Sequence, residues 1–279
     1  MYDGVSLSEP GRLQRSVGEL RVVVKRFGAE TMLDGLRQAG CLKARFPRRI
    51  VPGWMDVVML NTGGGVAGGD RLDVAIDVGT GAQATIAAQA AERFYRALDR
   101  DAPSLVRTRL AVGAGASLEW LPQETILFDR CALDRRLEVD LAPDAGFLGV
   151  ETVVFGRTAM GERVRQGRLR DLIRVRRGDE LLLHDAIRLD GDIDATMQRT
   201  AIGGGAAVVS TIVYVAPDAA AKLHAVRASG GSAEAGASVW NGMLVARIVG
   251  GDSASVRWTV VQALNVLRCS RPLPRVWLC

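Results

Sequence analysis

The stretch LNTGGGVAGGDRL, Leu60 to Leu72, is the densest chemical signal in the chain. Gly63, Gly65 and Gly68 satisfy the G-x-G-x-x-G spacing of a dinucleotide turn, and Asp56-VVML-Leu60 before them reads as a buried strand. Such a turn works only when its glycines open a helix whose N-terminus meets the pyrophosphate. Here Gly68-Gly69-Asp70-Arg71 runs into the alternating stretch from Leu72, and no phosphate-binding lysine follows. A nucleotide-binding oxidoreductase or hydrolase using the Gly63 to Gly69 loop is therefore the alternative that context opposes. Gly63, Gly64, Gly65, Gly68 and Gly69, followed by Arg71, predict instead a strand-to-strand turn with positive φ angles and close backbone contacts.

Other catalytic chemistry is thin. The two histidines, His184 and His224, leave little room for a hydrolytic triad or a three-histidine metal site. His224 falls in a predicted helix and reads as a surface or capping residue. His184 beside Asp185 in LLLHDAI reads either as a metal site or as a strand-edge hydrogen bond, with the second favoured. Cys41, Cys131, Cys269 and Cys279 are scattered without a C-x-x-C pair. They predict neither zinc nor a disulfide framework, and the default setting is reducing and cytoplasmic.

The acids say more. Glu151 sits in the apolar run FLGVETVVF, Asp185 follows Leu181-LL-Leu183, and Asp70 closes the glycine turn. A carboxylate in apolar surroundings is costly unless paired, hydrated or bound to a cation. Each has a plain reading as a polar-face residue or an arginine partner. Together, with Glu92 beside Arg93, they suit an internal passage for a divalent ion held by oxygen ligands, which bind less tightly than thiolates and imidazoles.

The elements that position these residues are mostly strands. Leu72, Val74, Ile76 and Val78 alternate with polar positions, as do Val106, Thr108, Leu110 and Val112, and then Leu137, Val139 and Leu141. Ile173 to Leu183 predicts a hairpin turning at Arg177-Gly178-Asp179, and Ala206 to Val215 a longer strand. Short Gly, Pro and Asp punctuation between strands argues against βαβ units. Two helices are predicted late, over Pro217 to Ala228 and from about Ser253 to Cys269, the second capped by Asp252 or Ser253. With 279 residues, 48% of them hydrophobic, and no low-complexity linker, the chain predicts one mainly β domain over 1–279. Its start lacks the apolar core of a signal peptide, and no run approaches the ~18 apolar residues of a membrane span. The net charge is +5, and only Lys25, Lys43 and Lys222 among the 36 basic residues are lysines. Arginine suits protein interfaces. The alternating run Arg168 to Arg177 reads as a solvated strand face, and no nucleic-acid partner is expected.

Several blocks together resemble the urease accessory protein UreD (UreH) family. They are LNTGGGVAGGDRL, AQAAERFYRA (Ala88 to Ala97), LEWLPQETILFD (Leu118 to Asp129), FLGVETVVFGRTAMGE (Phe147 to Glu162) and LPRVWLC (Leu273 to Cys279). FDRCAL replaces a more usual glycine after Asp129, and Ala97 stands where a serine is common. The resemblance implies a mostly β fold whose strands stack in a helical arrangement, with a few helices. It also implies a non-catalytic assembly factor that binds apo-urease, recruits UreF, and through it the GTPase UreG, for nickel insertion. A dimer of heterotrimers and no tightly bound cofactor are expected. Trp120, Pro122 and Gln123 are expected as structural residues, and Asp70, Glu151 and Asp185 as a transient nickel path.

Overall fold

The computed structural model describes residues 15–98, 102–157 and 160–278. The fold opens with β1 (Val17–Phe27), β2 (Glu30–Gly40), β3 (Leu42–Arg45) and β4 (Trp54–Asn61). Next come β5 (Arg71–Val78), β6 (Gln83–Ala88), β7 (Glu92–Phe94), β8 (Ser104–Val112) and β9 (Ser117–Leu121). They are followed by β10 (Thr125–Leu127), β11 (Ala132–Leu141), β12 (Gly146–Phe155), β13 (Gly167–Arg177) and β14 (Glu180–Gly191). After α1 (Ile193–Gln198) the chain forms β15 (Val208–Val215), α2 (Ala219–Ala228), β16 (Glu234–Trp240), β17 (Met243–Gly250) and α3 (Ser253–Leu267).

The chain shuttles between two sheets. β5, β8, β11 and β13 stack in parallel in a seven-stranded sheet, while β4, β6, β9 and β12 do the same in a ten-stranded one. Parallel neighbours need a crossover, and here the crossover is a strand of the opposite sheet rather than a helix. This is the helical stacking of strands that was expected. Antiparallel pairs finish the ends: β2 on β1, β14 on β13, and β15 followed by β17 and β16 beyond β12.

Alternation decides which side chains enter. In β5 the residues Leu72, Val74, Ile76 and Val78 are all buried, and the β8 and β11 stripes join them in one core between the sheets. A second core lies on the other face of the ten-stranded sheet, where α2 and α3 cover Ile212, Leu244 and Ile248. The hairpin turns at Gly178, which takes φ 55°, a conformation open to glycine at little cost.

Some boundaries differ from expectation. Asp56 to Leu60 lies within β4, but of that strand only Met55 and Val57 are buried, because β4 is flanked by the four-residue β3. α2 begins at Ala219, behind Asp218. α3 is capped by Asp252, whose carboxylate accepts from Ser255 N at 2.8 Å, and it stops at Leu267. It stops there because Cys269 and Ser270 adopt left-handed φ angles of 51° and 60°. α1 was not expected; its six residues are too few to show a helical period. Among the described residues no helix is long and apolar enough to cross a membrane.

Candidate functional site

The glycine loop leads into β5, not a helix. Gly64, Gly65 and Gly69 take φ angles of 73°, 140° and 85°, while Gly63 and Gly68 do not adopt positive φ. Gly65 permits a close approach: a Cβ there would lie 2.4 Å from the Tyr95 ring and 3.0 Å from the Arg93 carbonyl. Val66 N donates to Arg93 O and Tyr95 N to Val66 O, both at 2.8 Å, stitching the loop to β7. The loop thus binds backbone.

Asp70 closes it. Ser16 N donates to Oδ1 and Ala67 N to Oδ2, each at 2.8 Å, and the residue is 4% exposed. Both oxygens are occupied by main-chain amides, and Asp70 lines neither of the cavities described next. The exposed Arg71 continues the turn, its N–H donating to Ser16 O.

A cavity of about 170 Å³ lies between the sheets, walled by Gly64 and Gly65 of the loop and by Glu92, Trp120, Arg135 and Glu151. Pro122 and Gln123 also reach it. Glu151 Oε1 accepts from Trp120 Nε1 at 2.8 Å, and Oε2 accepts from Arg135 Nη1 at 2.6 Å. Arg135 also forks onto Asp171 through Nε at 2.8 Å and Nη2 at 2.6 Å, and its Nη1 reaches Thr125 Oγ1 at 2.7 Å. A second cavity of about 10 Å³ is lined by Glu151, Asp171, Asp185 and Thr211. Glu151 therefore borders both spaces. Asp185, facing inward from β14, is held by Arg247 Nη2 at 2.6 Å.

The charges do not balance inside. Arg135 serves two buried carboxylates, Glu151 and Asp171, which leaves one negative charge in excess. Burial pushes the Glu151 carboxyl up from its ordinary range, Arg135 pulls it down, and Asp171 adds to the rise. Burial works against the Arg135 charge, but Asp171 and Glu151 outweigh it and hold the guanidinium above its usual range. Glu92, on the wall of the larger cavity, is also raised by burial and accepts from Asn61 Nδ2 at 3.0 Å. A proton or a passing cation would neutralise such a site.

A second buried ion cluster ties the C-terminal segment to the sheet. Glu119, 2% exposed, accepts from Arg268 Nε at 3.0 and 3.1 Å, from Thr85 Oγ1 at 2.8 Å, and from Arg271 Nη2. Nearby, Gln123 Nε2 donates to Val276 O at 2.7 Å, and Trp277 Nε1 donates to Leu121 O at 3.0 Å. The LEWLPQ and LPRVWLC blocks thus meet in space.

Of the three expected acids, the structure brings Glu151 and Asp185 to one cavity and places Asp70 elsewhere. Arg135, Asp171, Glu119 and Arg268 were missed. Strand parity marks the first two, because Arg135 shares a face with Leu133 and Leu137, and Asp171 with Leu169 and Ile173. His184 and Asp185 do not form a joint site: His184 is exposed on the outward face of β14, and among the described residues its side chain makes no hydrogen bond. His224 is exposed on α2. Cys41 is half-buried, Cys131 buried and Cys269 exposed, the last 3.1 Å from Lys222 Nζ; Cys279 lies outside the described residues. Among the described residues no three His, Cys, Asp or Glu side chains group as a metal centre.

Fold and site define a two-sheet parallel β-solenoid with a buried carboxylate–guanidinium seam and a glycine loop that holds main chain. The family profile of the UreD urease accessory protein matches residues 16–278. Urease accessory protein UreD of Xanthobacter autotrophicus is 43% identical over 274 residues, covering 98% of this chain and 93% of that protein. The UreD of Sinorhizobium medicae is 45% identical over 269 residues, covering 95% and 96%. Urease accessory protein UreD 2 of Methylorubrum populi is 44% identical over 272 residues, covering 95% and 91%. The chain belongs to the UreD urease accessory protein family, and its role lies in urease maturation.

Proposed function

We propose that this chain is a non-catalytic scaffold of the cytoplasm that binds apo-urease and recruits UreF, and through UreF the GTPase UreG. The complex is a dimer of heterotrimers, and GTP hydrolysis by UreG accompanies nickel insertion into urease. Nickel is cargo and is not stored. Its route passes Glu92, Glu151 and Asp185, while Asp70 keeps the glycine loop closed.

The observation that carries this reading is the position of Glu151, bordering the two cavities described above beside a guanidinium shared by two carboxylates. The excess negative charge attracts a divalent cation, and oxygen ligands release it more readily than sulfur or imidazole. Glu151→Gln with Asp185→Asn keeps shape and most hydrogen bonding while removing charge. Co-expressed with the urease subunits, UreF and UreG, the double variant is expected to assemble but to yield urease with depleted nickel. Full nickel loading by an assembled double variant refutes the route. Failure to co-purify any urease or UreF with the wild-type chain refutes the scaffold.

A further inference from the structure

The outward face of the seven-stranded sheet carries charge that the fold itself does not need. Arg168, Arg170, Arg174 and Arg176 of β13 and Arg188 of β14 point outward, with Asp190 the outward carboxylate of those two strands. Arg174 pairs with Glu138 of β11 at 2.9 Å, and Arg176 donates to Asp179 O at 3.0 Å. In register, Arg170 lies directly opposite Arg188, just as Arg107 of β8 lies opposite Arg136 of β11. Like charges placed directly opposite destabilise a sheet. The Arg107–Arg136 pair is relieved by Asp134, whose Oδ1 is 3.1 Å from one guanidinium and 3.4 Å from the other. Arg170 and Arg188 have no such relief. Both are exposed, and among the described residues no acidic side chain lies within ion-pair distance of either. Asp134 is the register neighbour of Arg170 but is already engaged, and Asp190 stands opposite Arg168.

We propose that this edge of the sheet docks an acidic polypeptide segment of a partner protein, with Arg170 and Arg188 forking onto its carboxylates. Guanidinium groups match carboxylates bidentately, and arginine rather than lysine is the basic residue enriched in protein interfaces. The surroundings favour protein over nucleic acid. Leu172 lies outward between Arg170 and Arg174, opposite Ala186, and Leu181 is 49% exposed, so apolar contact area is interleaved with the charge. The outward positions of β13 and β14 carry no Phe, Tyr or Trp for a base to stack on, only the His184 imidazole, and Asp190 repels a phosphate backbone. β14 is also the terminal strand of its sheet, where an extended segment can add alongside.

The nickel route plays no part in this surface, and its test needs no urease. Fluorescence anisotropy with a labelled oligo-glutamate peptide measures binding to the full chain, with a labelled duplex oligonucleotide as the comparison. The peptide is expected to bind with an affinity that falls as salt rises. Arg170→Ser with Arg188→Ser should weaken it by roughly tenfold or more, with a melting temperature unchanged or raised. Arg170→Lys with Arg188→Lys should recover part of the affinity, since charge returns without the planar fork. Arg21→Ser, at the far side of the same face and paired with Asp77, should leave binding intact. No peptide binding by the wild type, equal binding by the double serine variant, or tighter binding of the oligonucleotide than of the peptide overturns the proposal.

Discussion

The Trp120 indole donates to Glu151 at 2.8 Å, and both side chains are buried where the two sheets face each other. One contact thus joins the large apolar ring of β9 to the internal carboxylate of β12. Trp120→Ala removes both packing and the donor, and should cost about 3–5 kcal/mol. Trp120→Phe keeps most of the area but leaves a Glu151 oxygen short of a donor, for about 1–3 kcal/mol. Urea unfolding of the two variants measures the split, and a fully stable alanine variant would remove the ring from the core.

Arg268 and Arg271 meet the same carboxylate but are not equivalent. Arg268 is buried with Glu119, whereas the Arg271 side chain is 28% exposed and also lies over the Trp54 ring at 3.8 Å. Arg268→Met should cost about 3–5 kcal/mol because it removes the buried counterion of Glu119 and leaves only Thr85 and the partly exposed Arg271. Arg271→Met should cost about 1 kcal/mol, since partial exposure screens the pair. Equal losses on chemical denaturation would refute this ranking.

The glycine loop makes a local prediction. A Cβ on Gly64 meets nothing within 4 Å, whereas one on Gly65 runs into Tyr95 and the Arg93 carbonyl. Gly64→Ala should therefore cost only the backbone strain of a positive φ, about 1–2 kcal/mol. Gly65→Ala must also displace a ring, so its thermal midpoint should fall further than that of Gly64→Ala.

Glu92 fixes a pH dependence. Its carboxyl is raised above the ordinary 4.5 by burial, against a hydrogen bond from Asn61. The folded state then keeps its proton to higher pH than the unfolded chain does. The stability from this group is present below 4.5 and is lost as pH rises through the raised value. Wild-type stability relative to Glu92→Gln should accordingly decline as pH climbs from 4.5. A difference that grows with pH would reverse the assignment.

Thiol reactivity should separate the cysteines. Burial, with Asp129 and Glu162 adding to it, pushes the Cys131 thiol up to about 12, while Cys269 is exposed. At neutral pH an aromatic disulfide reagent should modify Cys269 rapidly and Cys131 only after unfolding. Peptide mass mapping distinguishes the two sites.

The sequence made strands legible through the alternation in Leu72 to Val78 and Val106 to Val112, and it located α3 through Asp252. Parallel register was harder to read from these patterns, because β5 pairs with β8 across a stretch that includes β6 and β7. At the site, Glu151 was conspicuous as a charge in an apolar run. Arg135 and Asp171 were not, since each stands among other charges and only strand parity turns it inward. Asp70 looked like Glu151 in its sequence context, but its oxygens meet backbone amides, a distinction that depends on the path of Ser16 and Ala67.

The salt bridge between Glu119 and Arg268 spans 149 residues. During synthesis β9 leaves the ribosome long before α3 exists, so Glu119 must wait for its counterion. A nascent chain interrupted before Arg268 can stack its parallel strands but still carries an unneutralised anion where the finished protein is dry. Arrival of the segment that follows α3 is thereby registered as charge neutralisation in the middle of the ten-stranded sheet. Chains terminated before Arg268 should therefore lose stability at Glu119, far from the break.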